Sequence, residues 1–283
     1  MKKNTLLYVI ITILLIIIAV GTTYIVMNNK NNEEITEPSN NDNNQEENND
    51  EQITLSVSEL QEYLSYVPIE DGYVHDVYQN KYTNIQNIDK AILRNMALIK
   101  ASDCLYKEYT CPYNHEKEIE IEVNYDTYSE TVVTNNYIPL EYINKLLHQM
   151  YNYEISALKE KTILNAGGMG YIYSNEYFIM IGGGWAATEH ISVLDDYNAN
   201  EEELVIYEYG AYYDSFENKL YDYYTEKETD LGNLSENTSY DDKMTMLHNY
   251  LKEHKTEFTL YKHTFKKNDT GYYWYSTEIA SEG

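Results

Sequence analysis

Between Thr5 and Met27 the chain reads TLLYVIITILLIIIAVGTTYIVM, 23 residues without a charge, directly after Lys2 and Lys3. At a helical rise of about 1.5 Å per residue this run reaches about 34 Å, enough to cross the roughly 30 Å hydrocarbon core of a bilayer. The competing reading is a cleaved signal peptide, with Lys2 and Lys3 as its basic start, Leu6 to Val20 as its apolar core and Ala19-Val20-Gly21 as a small-residue site. Apolar character resumes after Gly21 through Tyr24, Ile25, Val26 and Met27, a length that a signal peptide does not need. The expectation is therefore a retained single-pass anchor over 5–27. Lysines on its short side put residues 1–4 in the cytoplasm and everything after the span outside the cell membrane.

From Asn28 to Gln52 the chain is almost wholly Asn, Glu, Asp and Gln, with one proline and no aromatic residue. Such a segment has nothing apolar to bury, so it is expected to be a disordered linker of 25 residues reaching on the order of 25–30 Å. Residues 53–283 remain as an extracytoplasmic domain. No cysteine lies near the end of the span, so lipid attachment has no acceptor there.

Charge narrows the partners. The chain has 20 Lys+Arg against 47 Asp+Glu; three of the lysines and eight of the acids precede Ile53, leaving 17 against 39 and a net charge of −22 beyond it. Nucleic acid is excluded as a partner on this balance, because neutralising phosphates needs a basic face. An acidic, soluble surface accounts for the charge without any ligand.

There are 33 tyrosines but only 4 phenylalanines, a ratio that A/T-rich codon drift does not produce. A hydroxyl on nearly every ring suits half-wet positions, either on sheets with one solvated face or on an aromatic platform for a sugar or peptide. Cys104 and Cys111 stand seven positions apart in CLYKEYTC. Outside the membrane such a pair is most simply a disulfide closing a small loop.

Periodicity outlines the domain. Ser58-x-x-Gln61 resembles a capping box ahead of Leu60, Tyr63, Leu64 and Val67, a short helix stopped by Pro68. A stronger helix is predicted over Asn87 to Ala101, where Ile88, Ala91, Ile92, Met96 and Ile99 form a stripe that Leu93 and Leu98 widen toward burial between two layers. Ile119, Ile121 and Val123 alternate with Glu120 and Glu122 as a strand with one acidic face. A third helix follows Pro139, with Ile143, Leu146, Leu147 and Met150 inward. Strands are predicted at Tyr171–Tyr173, Phe178–Ile181, His190–Leu194 and Leu204–Tyr213, with Asp195 to Asn200 as a turn. Thr229 to Ser239 reads as a loop, Ser239-x-x-Asp242 opens a fourth helix, and Glu257–Phe265 with Tyr272–Glu278 forms a hairpin turning at Asn268-Asp269-Thr270-Gly271. The layout is α+β: helices packed on a mainly antiparallel, twisted β-sheet.

Chemistry-bearing motifs are few. Ala166-Gly167-Gly168-Met169-Gly170-Tyr171-Ile172-Tyr173 resembles the Gly-rich phosphate loop of bacterial serine/threonine kinases, but no lysine falls between Lys161 and Lys219 and no HRD or DFG sequence follows. Asp196-x-Asn198-x-Asn200 has the opening spacing of an EF-hand loop, yet the sixth and twelfth places hold Glu201 and Tyr207 instead of Gly and Glu. The seven histidines are scattered singly, so no metal set, cofactor site or catalytic constellation is assigned. Gly182-Gly183-Gly184-Trp185 stands out as a candidate ligand site, with bare backbone at Gly183 and Gly184 and the Trp185 indole as a stacking wall for a sugar or peptide. The expected role is that of a cell-surface binding or interaction module; an envelope hydrolase with a cryptic site, or a structural subunit of a membrane complex, are the alternatives.

Overall fold

The computed structural model describes residues 53–69, 77–79, 83–106, 111–113, 117–124, 129–183, 188–231 and 238–280. The expected span 5–27 and linker 28–52 lie outside the described residues. Among those described, no helix is long and apolar enough to cross a membrane.

The centre of the architecture is a long β-hairpin, β7 (Thr188–Ala199) and β8 (Glu203–Asp214), each 12 residues. One edge of β8 carries β7. Its other edge is shared by β11 (Leu260–Asn268) against residues 203–209 and β9 (Lys219–Asp222) against residues 211–214. The antiparallel β12 (Gly271–Ile279) and β10 (Glu228–Asp230) complete a six-stranded sheet. A second sheet of four strands runs β3 (Tyr137–Pro139), β6 (Tyr177–Gly183), β5 (Met169–Ser174) and β4 (Thr162–Ala166), and β1 (Ile119–Asn124) with β2 (Ser129–Thr134) forms a separate hairpin. Every pairing is antiparallel.

Among the described residues four α-helices pack on these sheets: α1 (Val57–Leu64), α2 (Lys90–Tyr106), α3 (Leu140–Tyr151) and α4 (Tyr240–Glu253). Helix α2 meets β3 and β4 of the small sheet, while α3 meets α2 and also β12 of the large sheet. The wide apolar face of α2 is explained by this sandwiched position. Leu93, Ala97 and Leu98 are fully buried, and they share one core with Phe178 and Tyr173 on one side and Trp274, Phe265 and Ile206 on the other. On the far face of the large sheet α4 buries Leu247 and Leu251 against Ile191, Ala211, Tyr213 and Leu220. On the far face of the small sheet the β1–β2 hairpin covers Ile172 and Ile179 with Ile121 and Val123. Glu120 and Glu122 point to solvent, as the alternation requires.

Several expected boundaries move. The capping box of α1 is Ser56 with Glu59, two positions before the Ser58–Gln61 pair; the Ser56 backbone N–H donates to Glu59 at 2.8 Å while the Glu59 N–H donates to the Ser56 hydroxyl at 3.3 Å. A glutamate carboxylate is the stronger acceptor for that return bond. Helix α2 begins three residues later and extends through Cys104, whose sulfur is bonded to that of Cys111 with a Cα–Cα distance of 5.1 Å. The predicted turn at Asp195 to Asn200 is strand: β7 passes through a bulge between Leu194 and Asp196 and continues to Ala199. Tyrosines are also drier than their hydroxyls imply, since eleven of them among the described residues are buried, including Tyr78, Tyr171 and Tyr223 at zero exposure.

Candidate functional site

On β8 the residues Leu204, Ile206, Glu208 and Gly210 alternate onto the face that meets the main core, and three of these four are what such a face requires. Glu208 is a carboxylate at zero exposure. Leaving a charge there costs several kcal/mol unless donors reach it, and three elements supply them. Tyr78, from the turn 77–79, donates its hydroxyl to Oε1 at 2.5 Å. His263 on β11, itself at zero exposure, brings Nε2 to 3.0 Å from the same oxygen, although off the line of its N–H bond. His190 on β7 stands 4.0 Å away through Nε2 and keeps 26 % of its side chain exposed, which makes it the cluster's contact with solvent.

Further hydrogen bonds and ring contacts hold these side chains in place. Thr277 Oγ1 lies 2.8 Å from His263 Nδ1 and accepts the Trp274 indole N–H at 3.0 Å. The Tyr223 hydroxyl lies 2.9 Å from His190 Nδ1. The Tyr78 ring stacks on Tyr223 with centroids 4.7 Å apart and meets Tyr261 edge-on at 4.6 Å. It rests on Gly210, where a Cβ would come within 3.1 Å of Tyr78 Cε1. The glycine therefore makes room for the ring that delivers the hydroxyl.

The electrostatics follow from these contacts. Burial pushes the Glu208 carboxyl upward, but His263, His190 and the Tyr78 hydroxyl together outweigh it and hold the group down at about 2. Burial lowers His190 below the usual imidazole value of 6.5, against the pull of Glu208. Tyr78 is raised well above 10 by burial and by the adjacent carboxylate. Oε2 of Glu208 has no hydrogen-bond partner among the described residues. The cluster can take up or redistribute a proton. It offers no nucleophile, because its one alcohol of that type, Thr277, is engaged by both Trp274 and His263. The parity of β8 is the available signal for Glu208, which shares the inward phase of Leu204 and Ile206.

The candidates from the sequence fall elsewhere. Gly183 is the last residue of β6, and a Cβ there would lie 2.1 Å from the Met169 sulfur. What approaches the bare backbone at Gly183 is thus a thioether of the same sheet. Gly184 and Trp185 lie outside the described residues. The kinase-like glycine run is a hairpin turn: Gly167 and Gly168, at φ of 55° and 71°, join β4 to β5. The EF-hand-like oxygens are spent on backbone. Asn200 Oδ1 accepts from the N–H groups of Glu202 and Glu203, and Asp196 Oδ1 from that of Tyr197. Among the described residues no group of three or more His, Cys, Asp or Glu is arranged to hold a metal ion.

A cleft of about 610 Å³ opens between the start of α3, the β5–β6 turn and the tip of the β11–β12 hairpin. Glu141, Glu154 and Glu176 line it with Lys145, Asn175 and Tyr177. Hydrogen bonds tie its floor together: Asn144 makes two bonds to the Ile155 backbone (2.9 and 3.0 Å), and His148 on α3 meets Asp269 of the hairpin tip at 2.7 Å. That hydrogen bond lowers the Asp269 carboxyl. Comparison of the chain with protein-family models, with curated proteins and with solved structures finds no match.

Proposed function

We propose that the chain is a single-pass membrane protein with residues 1–4 in the cytoplasm, an anchor over 5–27, a spacer over 28–52 and the α+β domain outside, acting as a cell-surface binding module. The observation that carries the binding reading is the 610 Å³ cleft on α3, whose volume suits a small ligand and whose walls are that helix and the turns packed beside it. Three carboxylates against one lysine, beside the Tyr177 ring, favour a neutral or cationic polar ligand such as an oligosaccharide or a lysine-bearing peptide. Anionic wall polymers are disfavoured by the same charge. The hydrolase alternative is weakened by the Glu208 cluster, whose imidazole nitrogens face Tyr223, Thr277 and Glu208 instead of an open site.

The test is a titration of the full-length chain in detergent with neutral wall oligosaccharides and short cationic peptides, followed by chemical shifts and thermal stability. Binding is expected to fall at least tenfold in Glu154→Ala and in Glu141→Ala, both exposed on the cleft wall, with the melting temperature nearly unchanged. If those variants bind normally while Trp185→Ala does not, the ligand sits at Gly183–Trp185 and the cleft is not the site.

A further inference from the structure

The residues 77–79 are seated by the buried side chains of Val77 and Tyr78, and the Tyr78 hydroxyl ends on a buried carboxylate that an imidazole within reach of water also approaches. We propose that Tyr78 is a latch worked by protonation of His190. While the imidazole is neutral, the Tyr78 hydroxyl is held on Glu208; when His190 takes a proton, it captures that carboxylate and the tyrosine is let go.

The geometry supplies each part of this exchange. His190 Nε2 is already 4.0 Å from Glu208 Oε1, one small ring adjustment from contact. Turning the carboxylate toward His190 gives up the Tyr78 bond and the off-line His263 contact, both made to Oε1, and Oε2 has no partner among the described residues to hold it back. A charged N–H bonds a carboxylate more strongly than a neutral phenol does. The titratable groups facing His190 are Glu208 and Tyr212 from β8, His263 from β11, Tyr223 after β9, Tyr78 from the turn, and His248 from α4. Of these only Glu208 carries a negative charge near neutrality, and the two other histidines oppose a charge on His190. His190 therefore takes its proton below the ordinary value, and the Glu208 carboxylate, held low by its donors, is still ionised to receive it. Tyr78 keeps its ring contacts with Gly210 and Tyr223 after release, so the turn loosens without the sheet unfolding.

Nuclear magnetic resonance of the full-length chain labelled in histidine nitrogen and tyrosine ring carbon tests this directly. Between pH 7.5 and 4.5 the Tyr78 ring shifts should track the His190 titration with one shared midpoint below 6.5. Amide exchange at 77–79 should rise on the order of tenfold beyond the intrinsic pH effect, the loss expected for a bond to a charged group. Coupling is reciprocal, so Tyr78→Phe, which keeps the ring and removes the hydroxyl, should raise the His190 midpoint. His190→Gln should leave Tyr78 insensitive over that range. The latch is refuted if Tyr78 does not move while His190 titrates, if the Phe variant leaves the midpoint where it was, or if His190→Gln responds to acid as the wild type does. The wild-type titration decides the matter even where a variant fails to fold.

Discussion

At the scale of single residues, Glu208 is kept in the core by the Tyr78 hydroxyl and by the nearby imidazoles of His263 and His190, groups from three separate elements, so its ionisation is tied to the folded arrangement. In the unfolded chain the same carboxyl has its ordinary value near 4.5, whereas in the fold it is held at about 2. A group lowered on folding stabilises above the unfolded value and loses that contribution as pH falls toward the folded one. Stability should therefore decline from pH 4.5 to 2 more steeply in the wild type than in Glu208→Gln, measured by urea midpoint at each pH. His190 adds a slope at higher pH with its own sign. Its folded value lies below 6.5, so the unfolded chain binds more protons and stability falls as pH drops through 6.5. A Glu208→Gln variant with the wild-type acid profile would show that the carboxylate is not the linked group. None of this cluster was assigned from the sequence, for a physical reason: an Asp or Glu in a chain with 47 of them defaults to solvent. Only the register of three strands brings Glu208, His263 and His190 together.

At the scale of elements, legibility followed the strength of the periodic signal. Helix α3 reads clearly, because Ile143, Leu146, Leu147 and Met150 repeat on one face and Asn152 closes it in the left-handed conformation at φ 49°. The same holds for the Ser239 cap of α4, whose hydroxyl accepts from the Asp242 N–H at 3.2 Å. Strands β2, β3, β4, β9 and β10 had no equivalent signal. They are 3–6 residues long, and most of β2 and β4 faces water or a neighbouring hairpin. The bulge in β7 hid the end of that strand, since an extra residue at Asp195 breaks the alternation and imitates a turn. The start of α1 was misread because two serines two positions apart each precede an acceptor at the right spacing. That assignment has a direct consequence: Ser56→Ala should cost about 1 kcal/mol in chemical denaturation, the usual worth of a cap, while Ser58→Ala should be near neutral. The Glu59 carboxyl, lowered by its bonds to Ser56, should return toward 4.5 in the first variant alone.

At the scale of the whole molecule, α2 and α3 form a layer in the largest core cluster, between the two sheets, and smaller clusters lie on the far face of each sheet. The helices α2 and α3 have no solvent-facing side wide enough to belong to one sheet only: Leu93, Ala97 and Leu98 pack in the same cluster as Phe178 of the small sheet and Phe265 and Trp274 of the large one. Neither sheet can separate without exposing that cluster, and each buried leucine or phenylalanine side chain exposed costs roughly 1.5–3 kcal/mol. The connection from α3 to β4 carries Leu158, and β4 itself Leu164, against the same core. Cooperative loss of both sheets is therefore expected. In a denaturant series followed by methyl resonances, Ile172 of the small sheet and Ile206 of the large one should disappear at one midpoint. Leu93→Ala, which opens a cavity between them at a cost of about 2–5 kcal/mol, should lower both midpoints equally. If Ile172 instead survives to higher denaturant than Ile206, the sheets unfold as separate units and the helical layer between them belongs to only one.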